Sequence, residues 1–174
     1  MEQKTELFNA PADSVLIVTR EFNASLDVVF KMWTALRHFE KWWGPKGFKM
    51  KTSEFDLRPG GVFHYCMLGN GMEMWGKFVY LEIVEPEKIV FINSFSDKDG
   101  NTTRAPFSTT WPLEVMNVLT LTEDEGKTTL TLRGEPHNAT EEERKTFEAG
   151  IEMINNGFAG TFAQLDNYLD SLVV

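Results

Sequence analysis

Short apolar runs separated by turn signals occupy most of this chain, and one long helical repeat closes it. Ser14 to Phe22 (SVLIVTREF) is β-branched and short, which predicts a strand. Ser25 then stands where a helix N-cap is needed, ahead of Val29, Phe30 and Trp33, so a helix is expected from Leu26 to about Ala35. A second short helix is expected around Leu36 to Trp42, stopped by Gly44-Pro45.

From Met50 to Arg133 the period changes to that of strands. Pro59-Gly60-Gly61, Gly69-Asn70-Gly71, Glu85-Pro86, Asp97 to Asn101 and Asp124-Glu125-Gly126 are turn signals. They divide six strands, at about 50–56, 61–68, 73–84, 88–96, 113–122 and 127–133. No helical segment lies between them, so an antiparallel meander is expected rather than parallel crossovers.

Thr140-Glu141-Glu142-Glu143 carries a capping-box pattern, after which Phe147, Ile151, Ile154, Phe158, Phe162, Leu165 and Leu169 recur every three or four residues. This is a long amphipathic helix. Its neighbouring stripe holds Gly150, Met153, Gly157 and Gly160, and each interior glycine costs about 1 kcal/mol relative to alanine. Two accounts offset that cost: close backbone approach to the sheet, or small residues that keep space open for a ligand. A helix of roughly 25 residues, about 37 Å long, can lie across a seven-stranded sheet. Where the sheet curves more than side chains can fill, a gap remains, and gaps of this kind hold ligands.

Composition narrows the class. A chain of 174 residues predicts one domain, preceded here by an extension over 1–12. The net charge of −9 and the absence of a basic patch denser than Lys46, Lys49 and Lys51 argue against nucleic acid as partner. One cysteine, Cys66, excludes an internal disulfide and a cysteine-rich zinc site. No signal-like N-terminus and no run of 18 apolar residues is present, so a cytoplasmic protein without membrane attachment is expected. The unusual number is the 13% of aromatic residues, with fourteen Phe, five Trp and three Tyr. They fall on the elements that bound the expected gap.

Several motifs, taken in order, carry a resemblance: Phe22-Asn23-Ala24-Ser25, Trp42-Trp43-Gly44-Pro45, Asp56-Leu57-Arg58-Pro59-Gly60-Gly61, Gly76-Lys77-Phe78, Glu82-Ile83 with Pro86 to Val90, and Gly157-Phe158. Over about residues 13–170 the chain resembles the activator of heat-shock-protein-90 ATPase homologue family of the START-like (SRPBCC) superfamily. Many relatives carry Gly-Trp where this chain has Gly157-Phe158. The resemblance implies an α+β helix-grip (START-like, Bet v 1-like) fold over 13–174, a curved antiparallel seven-stranded sheet around the C-terminal helix. It also implies a cavity for a hydrophobic or aromatic small molecule. The eukaryotic namesakes bind the chaperone through a separate domain placed ahead of this one. A first strand near Ser14 leaves no room for such a domain, so regulation of an ATPase as a co-chaperone is the weaker expectation.

Candidate site residues follow. Trp33, Trp43, Trp75, Phe78, Tyr80, Phe95, Trp111 and Phe158 are expected around the cavity as ligand-binding residues. Adjacent Trp42 and Trp43 cannot face the same way, so one is expected to plug the core and the other to line the mouth. Period two puts His64 and Cys66 on one face of their strand and Phe63, Tyr65 and Met67 on the other. His64 reads either as a polar handle or acid–base group in the cavity, or as a satisfied histidine outside it. Glu73 and Glu114 face either the cavity or solvent; a carboxylate inside would have a raised pKa and suit a cyclase- or dehydratase-like enzyme of the superfamily.

Arg58-Pro59-Gly60-Gly61 reads as a turn and lacks phosphate-loop spacing. Asp97-Lys98-Asp99-Gly100-Asn101 starts like a calcium loop but has Thr102 where glycine is required, and reads as a hairpin. The segment 104–112 is long enough to be a lid. No metal and no cofactor is expected, and self-association as a homodimer is left open.

Overall fold

The computed structural model describes residues 14–173, so the expected extension over 1–12 lies outside the described residues. The first strand, β1 (Leu16–Phe22), is followed by α1 (Leu26–Thr34) and a single turn, α2 (Leu36–Phe39). Then come β2 (Lys49–Phe55), β3 (Val62–Gly69), β4 (Met72–Val84), β5 (Lys88–Ser96), a two-residue β6 (Thr102–Thr103), β7 (Val115–Asp124) and β8 (Lys127–Pro136). The chain ends in α3 (Glu141–Leu172). Neighbouring strands pair antiparallel in the order β1-β8-β7-β5-β4-β3-β2, and β6 adds a short pairing to β5. This is the helix-grip architecture: a curled sheet wrapped against one long helix.

Local chemistry explains the element ends. The Ser25 hydroxyl accepts from the Val28 N–H at the start of α1, and Thr140 and Glu143 complete a reciprocal capping box at the start of α3. Register shifts between Thr52 and Glu54 and between Tyr80 and Glu82 bend the sheet at β2 and β4. The tight connection before β3 depends on glycine: Gly60 has φ of 83°, and a β-carbon on Gly61 would stand 2.0 Å from the Asp56 carbonyl oxygen. The Arg-Pro-Gly-Gly segment is thus a turn, as its residues require.

Two elements differ from expectation. The second helix ends at Phe39, and the chain turns so that Trp42 folds back on α1, its indole N–H donating to the Met32 carbonyl. The last helix has 32 residues instead of roughly 25, about 48 Å at 1.5 Å per residue. It starts where the capping box at Thr140 places it and runs beyond Leu169 to Leu172.

The core is filled unevenly. Phe147 near one end of α3 and Phe162, Leu165 and Leu169 towards the other are buried, whereas Ile151, Ile154 and Phe158 in the middle are only half-buried. Below the C-terminal half, Trp33, Phe39, Trp42, Phe63 and Phe78 interlock at centroid distances of 4.9–6.2 Å. Under the middle of the helix the sheet face is not filled.

Candidate functional site

A cavity of about 500 Å³ occupies that unfilled space, within the range of roughly 300–1,000 Å³ typical of small-molecule sites. Trp43, Tyr65, Phe91, Phe95, Trp111 and Phe158 supply its aromatic wall. Strand alternation brings Phe91, Asn93 and Phe95 of β5 to the same face, and Val115 and Asn117 of β7 continue that face. Gly157 lies on the helix side, with nothing within 4 Å of where its β-carbon would be. The rim is apolar too: Phe107 is 58% exposed and Met153 is 60% exposed.

Trp43 is held over the cavity from α3. The carbonyl of the next residue, Gly44, accepts from the Thr161 hydroxyl and the Gln164 side-chain amide, so the turn that carries Trp43 is tied to the helix. Tyr65 lies across Gly76, where a β-carbon would come within 2.8 Å of the phenol oxygen. Burial pushes the Tyr65 phenol up to about 12, partly offset by a hydrogen bond from Trp43. Tyr65 is the one titratable side chain among the described residues that line the cavity.

The segment 104–112 forms one side of the mouth and is strapped to α3. Arg104 donates to the Trp111 carbonyl and to the Glu143 carboxylate, and Thr146 donates to the Thr110 hydroxyl. Trp111 reaches over Gly150, while Phe107 packs edge-on against both Phe95 and Trp111. The glycine stripe therefore has two causes. Gly150 makes room for a close approach, by a loop tryptophan rather than by the sheet, and Gly157 borders open space.

The floor holds a polar pair that the sequence reading passed over. Asn117 is 4% exposed; its amide N–H group donates to Asn93 Oδ1 at 2.9 Å and to the Val115 carbonyl at 3.1 Å. A signal was available, because asparagine is disfavoured inside strands, and Asn117 interrupts the otherwise apolar run VMNVL while Asn93 falls in the largely apolar FINSF.

Of the expected site residues, Trp43, Phe95, Trp111 and Phe158 come together on the wall. Trp75 reaches the rim, but its indole belongs to the opposite sheet face, stacked on His64 at 5.0 Å and donating to Glu73. His64 itself does not line the cavity. It is 5% exposed on the outer face, its Nε2 3.2 Å from the Ser96 hydroxyl and 3.1 Å from the Asp97 carbonyl, beneath the hairpin at Gly100. That is the satisfied histidine of the two alternatives. Trp33, Phe78 and Tyr80 are also corrected, because they fill the core beside the cavity: Trp33 packs on Phe39 and Trp42, and Phe78 stacks on Phe91 at 4.3 Å. Glu114 is half-buried just ahead of β7, away from the lining, and its backbone carbonyl caps the chain at His137.

Among the described residues no group of three or more His, Cys, Asp or Glu side chains is placed to hold a metal. No helix among them is long and apolar enough to cross a membrane.

Comparison with known proteins places this geometry. Protein Ms6760 from Mycobacterium smegmatis is 27% identical over 91% of this chain and 92% of its own, with a TM-score of 0.74. A protein from Arthrobacter aurescens at 23% identity superposes over 92% of this chain and 88% of its own, with a TM-score of 0.75. The AHSA1 protein from Silicibacter pomeroyi, 17% identical, covers 90% and 97% with a TM-score of 0.68. At these last two identities the likeness is one of fold. No curated protein matches the chain significantly. The profile of the Activator of Hsp90 ATPase homolog 1-like proteins matches residues 23–170, and the chain belongs to that family.

Proposed function

We propose that this protein binds a hydrophobic or aromatic small molecule in the cavity between the sheet and α3. The observation that carries the reading is that the aromatic core stops short of the middle of α3. Trp43, Tyr65, Phe91, Phe95, Trp111 and Phe158 pack on or within that core and also border a space of about 500 Å³. Apolar surface facing such a space gains free energy when a ligand displaces its water, at about 25 cal/mol per Å² buried. Flat ligands also gain from edge and face contacts with the rings. The exposed Phe107 and Met153 at the rim give an apolar entry.

Binding is favoured over proton-transfer catalysis for a chemical reason. General acid–base work near neutral pH needs a group that titrates there. Tyr65 stays protonated up to about 12, and His64 and Glu114 lie elsewhere. A cytoplasmic setting is part of the reading, since the lone, buried Cys66 suits a reducing compartment.

The test is native mass spectrometry of freshly purified protein together with titration by N-phenyl-1-naphthylamine, a neutral fluorescent probe. A copurified small molecule, or saturable 1:1 binding of the probe, is expected. Absence of both overturns the reading.

A further inference from the structure

The cavity floor carries a recognition element whose chemistry is fixed by its own hydrogen bonds. Asn93 and Asn117 are joined amide to amide, Nδ2 of Asn117 to Oδ1 of Asn93 at 2.9 Å. The second hydrogen of the Asn117 amide goes to the Val115 carbonyl, which sets the direction, because an amide oxygen turned towards that carbonyl would be repelled. Asn117 Oδ1 and Asn93 Nδ2 take no part in these bonds. Two amides joined by a single hydrogen bond leave over one carbonyl and one N–H group, here on two residues that both line the cavity.

Two other polar side chains of the wall are engaged: Thr161 donates to the Gly44 carbonyl, and Tyr65 is hydrogen-bonded with Trp43. No Asp, Glu, Lys, Arg or His side chain lines the cavity among the described residues. A ligand carboxylate or ammonium would therefore be buried without a counter-charge, at a large desolvation penalty.

Resting on the binding reading above, we infer that the cavity selects an uncharged, flat ligand with a neighbouring hydrogen-bond donor and acceptor on one edge, as in a lactam or carboxamide, held by Asn93 and Asn117. The apolar body lies among the wall aromatics, and the amide edge meets the floor. The Asn117 carbonyl takes the ligand N–H, and the Asn93 N–H group gives to the ligand carbonyl. An analogue lacking the donor leaves the Asn117 oxygen dry and unpaired.

The test uses the whole chain and four probes: naphthalene, 2-quinolone, 1-methyl-2-quinolone and 2-naphthoate. Calorimetric or fluorescence titration is expected to show 2-quinolone binding on the order of tenfold more tightly than its N-methyl analogue, with 2-naphthoate weakest. The side-chain NH₂ signals of Asn93 and Asn117 are expected to shift on adding 2-quinolone. Asn117→Leu and, at a half-buried position that tolerates change more readily, Asn93→Leu are each expected to abolish the preference while naphthalene still binds. If wild type binds naphthalene but does not distinguish the two quinolones, or if the preference survives both substitutions, the inference is overturned and the binding reading stands. If none of the four probes binds while N-phenyl-1-naphthylamine does, the inference is overturned and the binding reading stands; if that probe also fails and no small molecule copurifies, both fall.

Discussion

Ring atom Cζ3 of Trp111 stands 2.8 Å from the position that a β-carbon on Gly150 would take. Seven residues further along the same helix, Gly157 has nothing within 4 Å of the corresponding position. One glycine is pressed by the mouth of the cavity, and the other looks into it.

That difference predicts opposite signs for the same substitution. Gly157→Ala gains helix propensity, about 1 kcal/mol, with no clash, and urea unfolding is expected to show a stability gain of up to that size. Gly150→Ala gains the same propensity but drives a methyl group into a buried indole, an overpacking of roughly 1–3 kcal/mol. A net loss is expected, with altered Trp fluorescence as Trp111 shifts.

Filling the space removes the ligand's place without removing the fold. Gly157→Leu favours helix and extends an isobutyl group into the cavity, so far-ultraviolet circular dichroism is expected to be unchanged. Affinity for N-phenyl-1-naphthylamine is expected to fall by about tenfold or more, since about 1.4 kcal/mol of lost contact accounts for each factor of ten. Unchanged affinity would place the probe elsewhere.

His64→Ala separates the two sheet faces. The substitution removes the Ser96 and Asp97 contacts and the Trp75 stack, at about 1–3 kcal/mol for the polar groups left unpaired. Thermal unfolding is expected to shift down. Probe affinity is expected to stay within about twofold of wild type, because removing one small outer-face group leaves every wall contact in place.

The strap at the mouth is sensitive to acid. The Thr140 backbone N–H, and then the Arg104 side chain, hold the Glu143 carboxyl down to about 2 from an ordinary 4.5. A depressed folded-state pKa gives stability that is complete above the unfolded value and is lost as pH falls from about 4.5 towards 2. Glu143→Gln is therefore expected to lower stability at pH 7 and to flatten the pH dependence of the urea midpoint below 4.5. A parallel curve for wild type and variant contradicts this account of the strap.

Much of the fold was legible because its punctuation is chemical. Gly60 needs positive φ and Gly61 cannot carry a β-carbon, so the turn before β3 shows in the residues themselves; Thr140 and Glu143 mark the start of α3 in the same way. Strand β6 was not legible, since two residues pairing with Phe95 and Ser96 have no period. The sidedness of β3 was only half legible. Alternation separates His64 from Tyr65, but both faces are buried, the outer one beneath the hairpin at Gly100, so polarity could not say which face meets the helix. Trp33, Phe78 and Tyr80 lie on the expected elements but fill the core beside the cavity instead of lining it. Whether an aromatic ring fills or borders a space depends on where α3 sits above it, and that is a tertiary fact.

The central claim is that a ligand sits between the sheet and the middle of α3. It is tested most directly by backbone amide chemical-shift mapping of the ¹⁵N-labelled protein during titration with N-phenyl-1-naphthylamine. The account predicts saturable shifts concentrated at Trp43–Gly44, Tyr65–Met67, Phe91–Phe95, Trp111 and Ile154–Phe158, with the buried cluster around Phe22 and Leu130 unmoved. Shifts centred on the outer face at His64 and Lys77, or no saturable shift at all, would contradict it.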